Sequence, residues 1–239
     1  MNILQNGLYG ILTENGKENI LLLVAFIFVS AIASYLFGSL NSAIIVSKAL
    51  YKEDVRSHGS GNAGLTNMLR TYGGKAAAFT LIGDMLKTAI SILLTALLLG
   101  FSYKNGISLN GYCYLSGLCA VLGHVFPIYY GFKGGKGVLV TATMALIITP
   151  ISFVALILIF SIILLITGFV SLGSIVVAGL YPITVCLYIP LVCMEAIPLF
   201  TIISTVFLGL FVIWCHRSNI ERLINKNEKR ISIGKKEQK

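Results

Sequence analysis

Three stretches of this chain combine glycine, basic residues and neutral hydrogen-bonding side chains in a way suited to holding anions. The first, KALYKEDVRSHGSGNAGLTNMLRTYGGK at 48–75, contains five glycines and two asparagines. Leu65, Met68, Leu69 and Tyr72 recur there at i, i+3, i+4 and i+7, which predicts a short interfacial helix starting near Asn62. Gly59, Ser60 and Gly61 just before it let backbone N–H groups and a hydroxyl converge on an anion at the positive end of the helix dipole, and Arg70 can return a guanidinium to the same place. In the second stretch, GHVFPIYYGFKGGKG at 123–137, Lys133 and Lys136 sit on a glycine-rich turn and offer donors and charge to a phosphate. The third, WCHRSNIERL at 214–223, sets His216 and Asn219 one turn apart, able to orient a hydroxyl or polarise a carbonyl. Plainer readings stand beside these: glycines that permit tight turns, lysines that anchor topology, and a histidine that meets the dipole at the end of a helix.

Other chemistries fail on context. GSGNAG, with Asp84 twenty residues after Gly64, has the letters of a dinucleotide fingerprint, yet no apolar strand opens it and Asp84 falls inside a long apolar run. GFKGGKGV lacks the glycine five places before Gly135 and carries Gly137 where a P-loop needs Ser or Thr. No HxxxxD pair, GxSxG elbow, HExxH pair or carboxylate cluster for divalent metals is present. The five cysteines, Cys113, Cys119, Cys186, Cys193 and Cys215, have no metal-ligand spacing and read as packing residues. Asp84 and Lys87, three apart, share a helix face and can pair, which lowers the cost of burying either. Two phosphate cradles in a lipid-loving chain suit one phosphorylated, water-soluble substrate meeting one lipid-tailed substrate.

The elements that must position these groups are set by composition. Of 239 residues, 56% are apolar and 11% charged, which excludes a disordered segment and an ordinary soluble domain. Charge is absent from Ile20 to Ser47, Thr88 to Tyr103, Asn105 to Phe132, Gly137 to Met194 and Ala196 to Cys215. With Pro150 and the Gly168 to Gly173 segment dividing the longest run, seven spans are expected, roughly 20–47, 76–100, 111–130, 135–149, 151–168, 174–193 and 196–215. The fourth is short. This division assigns fifteen of the eighteen basic residues to one side, leaving Lys17 and Lys104 on the other and Lys87 within the second span. The positive side should be cytoplasmic, so the expected fold is an all-α polytopic membrane protein with its N-terminus outside and its C-terminus inside. Glu14, Lys17 and Glu18 form a polar preamble rather than a signal head, so the first span should stay. The expected organisation is a membrane unit over 1–216 and a solvated basic tail over 217–239, in contact with anionic lipid.

Taken together and in order, YLFGSLNSAIIVSK at 35–48, RSHGSGNAGLTNMLRTYGGKAAAFTLIGDMLK at 56–87, LGHVFPIYYGFKGGKGV at 122–138, SLGS at 171–174 and WCHRSNIERL at 214–223 give the chain its likeness. It resembles the bacterial acyl-phosphate:glycerol-3-phosphate acyltransferases, the PlsY family. One departure is Asn41, where the family often has proline in GSxP, which affects the bend of the first span. The resemblance implies seven spans in the bacterial cell membrane, with transfer of an acyl group from acyl phosphate to glycerol 3-phosphate at the cytoplasmic face. Lysophosphatidic acid and inorganic phosphate would be the products. It implies no coenzyme A, acyl carrier protein, metal or organic cofactor. The implied partners are the two substrates, membrane lipids and an enzyme that produces acyl phosphate, with no nucleic acid. By the same resemblance Ser60, Arg70, Lys133, His216 and Asn219 are catalytic, and Gly59, Gly61, Asn62, Asn67, Gly134, Gly135, Lys136 and Ser171 support phosphate binding.

On this reading the carbon-1 hydroxyl attacks the acyl carbonyl and phosphate leaves. Arg70, Ser60 and one lysine hold one phosphate, the other lysine balances the leaving phosphate, and Asn219 with His216 stabilises the oxyanion. The base is a histidine or a substrate phosphate. An organic-phosphate transporter would also want basic loops, but should carry charges near the midplane and an internal duplication. A scaffold for other lipid enzymes would leave the glycine-rich loops without purpose.

Overall fold

The computed structural model describes residues 3–13, 19–100, 103–104, 107–108, 111–194 and 196–231. Glu14, Lys17, Glu18 and the end of the basic tail, residues 232–239, lie outside them. Apart from a two-residue antiparallel ladder pairing Tyr103–Lys104 with Ile107–Ser108, the regular structure described is helical.

Helix α1 (Ile3–Leu12) has no counterpart among the expected spans; it bends at Gly7, whose positive φ of 67° lets it sit against the backbone of Leu99 and Gly100. The first expected span is α2 (Ile20–Ser39), which breaks at Leu40 and Asn41 and continues as α3 (Ser42–Val46) and a π-helical turn, Ser47–Tyr51. Asn41 makes the break: its Oδ1 accepts the Ile44 N–H at 3.1 Å, capping α3, while its Nδ2 donates to the Ala63 carbonyl at 3.2 Å. Next come the short helix α4 (Leu65–Tyr72) and the second span α5 (Gly74–Leu99). Helix α6 (Gly111–Val125) is followed by α7 (Val138–Ile148), α8 (Pro150–Thr167), α9 (Val170–Cys193), α10 (Leu199–Cys215) and α11 (Arg217–Ile224).

Among the described residues, Ile20–Tyr51, Gly74–Leu99, Gly111–Tyr130, Pro150–Thr167 and Val170–Leu191 are long and apolar enough to cross a membrane. The count reaches six if α10 and α11, bent by 56°, form one span. The fourth expected span is the eleven-residue α7, about 16 Å long at 1.5 Å per residue, roughly half the hydrocarbon thickness.

The helices meet where side chains are small. A Cβ on Gly38 would run into the Ala120 backbone, and one on Gly123 would stand 2.8 Å from the Ser39 nitrogen, so α2 and α6 approach nearly backbone to backbone. Ser34 and Ser116 join their hydroxyls across the same contact at 2.8 Å. The main core lies between α6, α7, α9 and α10, around Val121, Met144, Ile148, Val185 and Leu208. A smaller cluster of Ala43, Ile44, Val55, Ala63, Met68 and Ala76 lies beneath the first glycine-rich segment. Met68 is buried there as the heptad spacing requires, but Leu69 is 41% exposed, so the inward face of α4 is narrower than the sequence pattern.

The solvated tail needs correction as well. Residues 217–231 fold onto the bundle: α11 turns back after α10, and the Ile231 N–H donates to the Gly168 carbonyl at 2.9 Å. Arg230 covers the Phe169 ring at 5.1 Å. These contacts tie the tail to the α8–α9 turn, because a helix end there leaves free carbonyls for it to cap.

Candidate functional site

The three polar segments converge at one end of the bundle, around a cavity of about 610 Å³. Its polar end is lined by Ser60, Asn67, Arg70, Lys136, His216 and Asn219, with Ser171, Arg222 and Glu228 beside them. Its apolar end runs between α7, α8, α9 and α10, past Leu139, Phe153, Leu156, Val177 and Leu208.

The first wall is the turn at 55–64. Gly59 and Gly61 take positive φ values of 61° and 71°, which turn the chain sharply on either side of Ser60. Asn67 fastens this turn from α4: its Oδ1 accepts the Ser60 N–H at 3.0 Å, and its Nδ2 donates to the carbonyls of Val55 and His58 at 3.1 and 3.0 Å. Asn67 is therefore spent on the turn, while the Ser60 hydroxyl remains for a ligand. Helix α4 begins after Gly64, and Asn62 also lines the cavity. Arg70, one turn past Asn67, lines the cavity and donates from Nη2 to the Lys229 carbonyl at 2.9 Å.

The second wall is the turn before α7. The Gly134 and Gly135 N–H groups donate to the carbonyls of Val125 and His124, each at 3.1 Å, which folds the turn back along the end of α6. Only glycine fits, since a Cβ on Gly134 would strike the His124 carbonyl and one on Gly135 the His124 ring. Lys136 points into the cavity and donates to Asn219 Oδ1. Burial, with the like charge of Arg222, lowers the Lys136 ammonium to a pKa of about 8, against the opposing pull of Glu228. Lys133 is placed differently: exposed, it does not line the cavity, and its carbonyl accepts a bond from Arg56 Nη1 at 3.0 Å. Gly61, Gly134 and Gly135 likewise shape the walls without lining the cavity.

The third wall is the bend between α10 and α11. His216 sits at the corner, with Nδ1 2.7 Å from the Val212 carbonyl. A carbonyl only accepts, so Nδ1 carries the proton and Nε2 keeps its lone pair. Burial lowers the His216 pKa to about 4, more than the Val212 bond raises it, so the ring is neutral at physiological pH. Asn219 accepts from Lys136 on one side and donates from Nδ2 to Glu228 Oε1 at 2.8 Å on the other. Ser171 donates to the same oxygen at 3.0 Å, and Arg222 Nε to Glu228 Oε2 at 2.7 Å. Burial alone would raise the Glu228 pKa, but the bonds from Arg222, Asn219 and Ser171 outweigh it and hold the carboxylate ionised.

Glu228 thus belongs to the site although no motif pointed to it. Asp54 and Arg56 form a second group missed from the sequence. The side-chain hydrogen bond from Arg56 lowers Asp54 to a pKa of about 2, and the same guanidinium clamps the carbonyls of Tyr130 and Lys133 at 2.8 and 3.0 Å. It links the first wall to the second. Asp84 and Lys87 pair as their spacing suggested, at 2.8 Å. Among the described residues no three of His, Cys, Asp and Glu converge as a metal ion would require.

In chemical terms, a cationic, donor-rich end faces an unprotonated imidazole nitrogen and opens into an apolar cavity. That combination suits a phosphate at one end, a hydroxyl proton to be accepted, and an acyl chain at the other end. Comparisons with known proteins point the same way. The chain is 38% identical over 200 residues to the glycerol-3-phosphate acyltransferases of Bacillus velezensis and Bacillus subtilis, covering 84% of this chain and 95% of each relative. Identity to that of Clostridioides difficile is 38% over 206 residues, 86% of this chain and 95% of the relative. Its fold is similar to crystal structures of PlsY (YgiH), an integral membrane glycerol 3-phosphate acyltransferase. For the glycerol 3-phosphate form the TM-score is 0.72 at 29% identity, covering 86% of this chain and 96% of that one. For the lysophosphatidic acid form it is 0.70 at 28%, covering 86% and 95%. This chain is therefore a multi-pass membrane protein, and because the model described as glycerol-3-phosphate acyltransferase matches residues 28–226, a range holding all three polar segments, it belongs to that family.

Proposed function

We propose that this protein transfers an acyl group from acyl phosphate to the carbon-1 hydroxyl of glycerol 3-phosphate, releasing lysophosphatidic acid and inorganic phosphate. The observation that carries the reading is a continuous cavity of about 610 Å³ with Lys136, Arg70 and Ser60 at one end and an apolar channel at the other. Arg70, Ser60 and Lys136 bind the phosphate of glycerol 3-phosphate, and Arg222, behind Lys136, balances the leaving phosphate. Lys133 serves the approach to the site rather than its interior. The hydroxyl oxygen attacks the acyl carbonyl carbon, the bond from that carbon to the phosphate oxygen breaks, and phosphate departs with the electron pair. The neutral His216 accepts the hydroxyl proton at Nε2, while the remaining Asn219 N–H faces the oxyanion. Because phosphate is a good leaving group, positioning supplies most of the rate.

In the same proposal the chain crosses the bacterial cytoplasmic membrane seven times, with α7 and its flanking turns as the short fourth crossing and the N-terminus outside. Arg70, Lys136, Arg222 and Lys229, from the 48–75 and 126–137 segments and the described part of the tail, line the cavity together, which supports a cytoplasmic site where glycerol 3-phosphate is dissolved. The membrane unit of residues 1–216 is completed by the tail that follows it, and an enzyme producing acyl phosphate is the partner required.

The test is purified protein in detergent or lipid, given labelled glycerol 3-phosphate with acyl phosphate or with acyl coenzyme A. Lysophosphatidic acid and equimolar phosphate should form with the first donor only. Folded protein that makes no product, or that uses the coenzyme A ester equally well, sinks the reading.

A further inference from the structure

Asp84 and Lys87 on α5 and His124 on α6 are almost fully buried, and the mechanism above uses none of them. Lys87 Nζ lies 2.8 Å from Asp84 Oδ1, 2.9 Å from His124 Nδ1 and 3.0 Å from the Leu40 carbonyl. An ammonium has three N–H bonds and no lone pair, so all three are engaged and His124 Nδ1 is an acceptor. The ring proton is therefore on Nε2, the edge that faces the second glycine-rich turn. A Cβ on Gly135 would collide with that nitrogen and stand 2.8 Å from the Ala63 carbonyl, so the ring edge, the Gly135 Cα and the end of the first turn meet at one point.

Each member of the trio touches a different part of the site's frame. Asp84 Oδ1 receives the Ser42 N–H at 3.4 Å, just past the break in the first span. Lys87 holds the carbonyl on the other side of that break. Asn41, inside the break, holds the Ala63 carbonyl. His124 takes the Gly135 N–H on its own carbonyl and abuts Gly135 with its ring. A buried ion pair is a poor way to stabilise a bundle, because apolar residues of equal volume avoid the desolvation penalty, whereas it is a good way to fix one register among several.

We propose that Asp84, Lys87 and His124 are positioning residues that set the two glycine-rich turns against each other. Lys87 holds the His124 ring in its Nε2–H form, and the ring edge is the stop on which Gly135 and Ala63 seat, so that Lys136 and Ser60 face the same ligand. The inference rests on the acyl-transfer reading, since it takes the two turns as the phosphate-binding walls.

The experiment is a double-variant cycle on the full chain in detergent, with His124→Asn, Gly135→Ala and both together. Asn keeps an oxygen acceptor for Lys87 but vacates the position of the ring edge. His124→Asn should keep its thermal midpoint and raise the KM for glycerol 3-phosphate about tenfold, with kcat within about threefold and the acyl-phosphate KM unchanged. Gly135→Ala should show a similar defect, and the double variant should lie within about threefold of the worse single one, because the missing ring makes room for the new methyl. An unchanged KM in folded His124→Asn, or defects that multiply in the double variant, overturns the proposal. If the Asn variant does not fold, histidine nitrogen resonances of the wild-type chain decide. The His124 signal should show the Nε2–H form and move when glycerol 3-phosphate alone is added, and a signal with the proton on Nδ1, or one that does not move, overturns it. Wild-type protein that makes no lysophosphatidic acid would refute the acyl-transfer reading; an active wild type with multiplying defects refutes the positioning role alone.

Discussion

Replacing Asn67 with alanine tests how the first wall is held. The side chain is 2% exposed and makes three hydrogen bonds, to Ser60, Val55 and His58, all on the 55–60 turn. Its loss should loosen the turn and leave the helix bundle intact, because the main core lies between other elements. At about 1 kcal/mol for each neutral bond, the deletion removes about 3 kcal/mol from the closed turn. With each 1.36 kcal/mol worth a factor of ten, the closing equilibrium shifts by about two powers of ten. If only the closed turn binds phosphate, the KM for glycerol 3-phosphate rises by up to about a hundredfold, and kcat at saturation falls far less. Asn67→Asp should do no better than alanine, because it keeps an acceptor for the Ser60 N–H but turns a carboxylate oxygen toward two carbonyls. The assay is initial rate against glycerol 3-phosphate at saturating acyl phosphate, with the thermal midpoint measured on the same sample. A folded Asn67→Ala protein whose KM stays within about threefold of wild type refutes the argument that these bonds order the phosphate-binding turn.

Three further outcomes are expected. Lys136 is an ammonium below about pH 8 and neutral above it, so kcat/KM for glycerol 3-phosphate should be flat between about pH 7, above the phosphate and His216 ionisations, and pH 8, and fall about tenfold per pH unit beyond it; a profile flat to pH 10 contradicts the role. Glu228→Gln weakens three charge-assisted bonds and leaves Arg222 without its counter-charge, which should cost about 2 kcal/mol and lower the thermal midpoint together with activity, read by calorimetry and turnover. Gly123→Ala pushes a methyl into the backbone of α2 and should destabilise by about 1–3 kcal/mol, whereas Gly74→Ala meets nothing within 4 Å and should be neutral or slightly stabilising; equal midpoints would refute the close helix contact.

Helices were legible wherever the signal was a long charge-free run, as in α2, α8 and α9, because length and apolarity are local properties. The short α4 was legible from its heptad spacing, although Leu69 turns outward because Asn67 and Met68 take the inward face. The break in the first span was visible only as Asn41 standing where proline is usual. Its two bonds, one capping α3 and one to Ala63, required a contact twenty-two residues away. Of the residues that line the polar end of the cavity, Ser60, Arg70, Lys136, His216 and Asn219 stood out in the sequence because glycine, base and amide lie close together there. Asn67 stood out with them, and its side-chain bonds go to the turn. Lys133 looked equivalent to Lys136, and what separates them is the Arg56 clamp, which turns the backbone at 133 toward the first segment. No spacing rule links Arg56 to Lys133.

The tail illustrates a different limit. SNIERLINKNEKRISIGKKEQK reads as solvated because its charge is mostly positive, and Glu228, one of three glutamates scattered among its basic residues, belongs to no pattern. In the fold that glutamate is the counter-charge of the site: Glu228 fixes Arg222 and Asn219, and Asn219 in turn receives Lys136. The position of the second-segment lysine therefore depends on a carboxylate more than ninety residues away. This dependence also explains how basic groups can crowd one buried end of a membrane protein before any phosphate arrives. An uncompensated cluster would lower the Lys136 pKa further, whereas one internal carboxylate, ionised through its own hydrogen bonds, helps keep Lys136 charged near neutral pH. A doubly charged phosphate entering beside Lys136 then adds to a cationic centre that the fold has already balanced only in part.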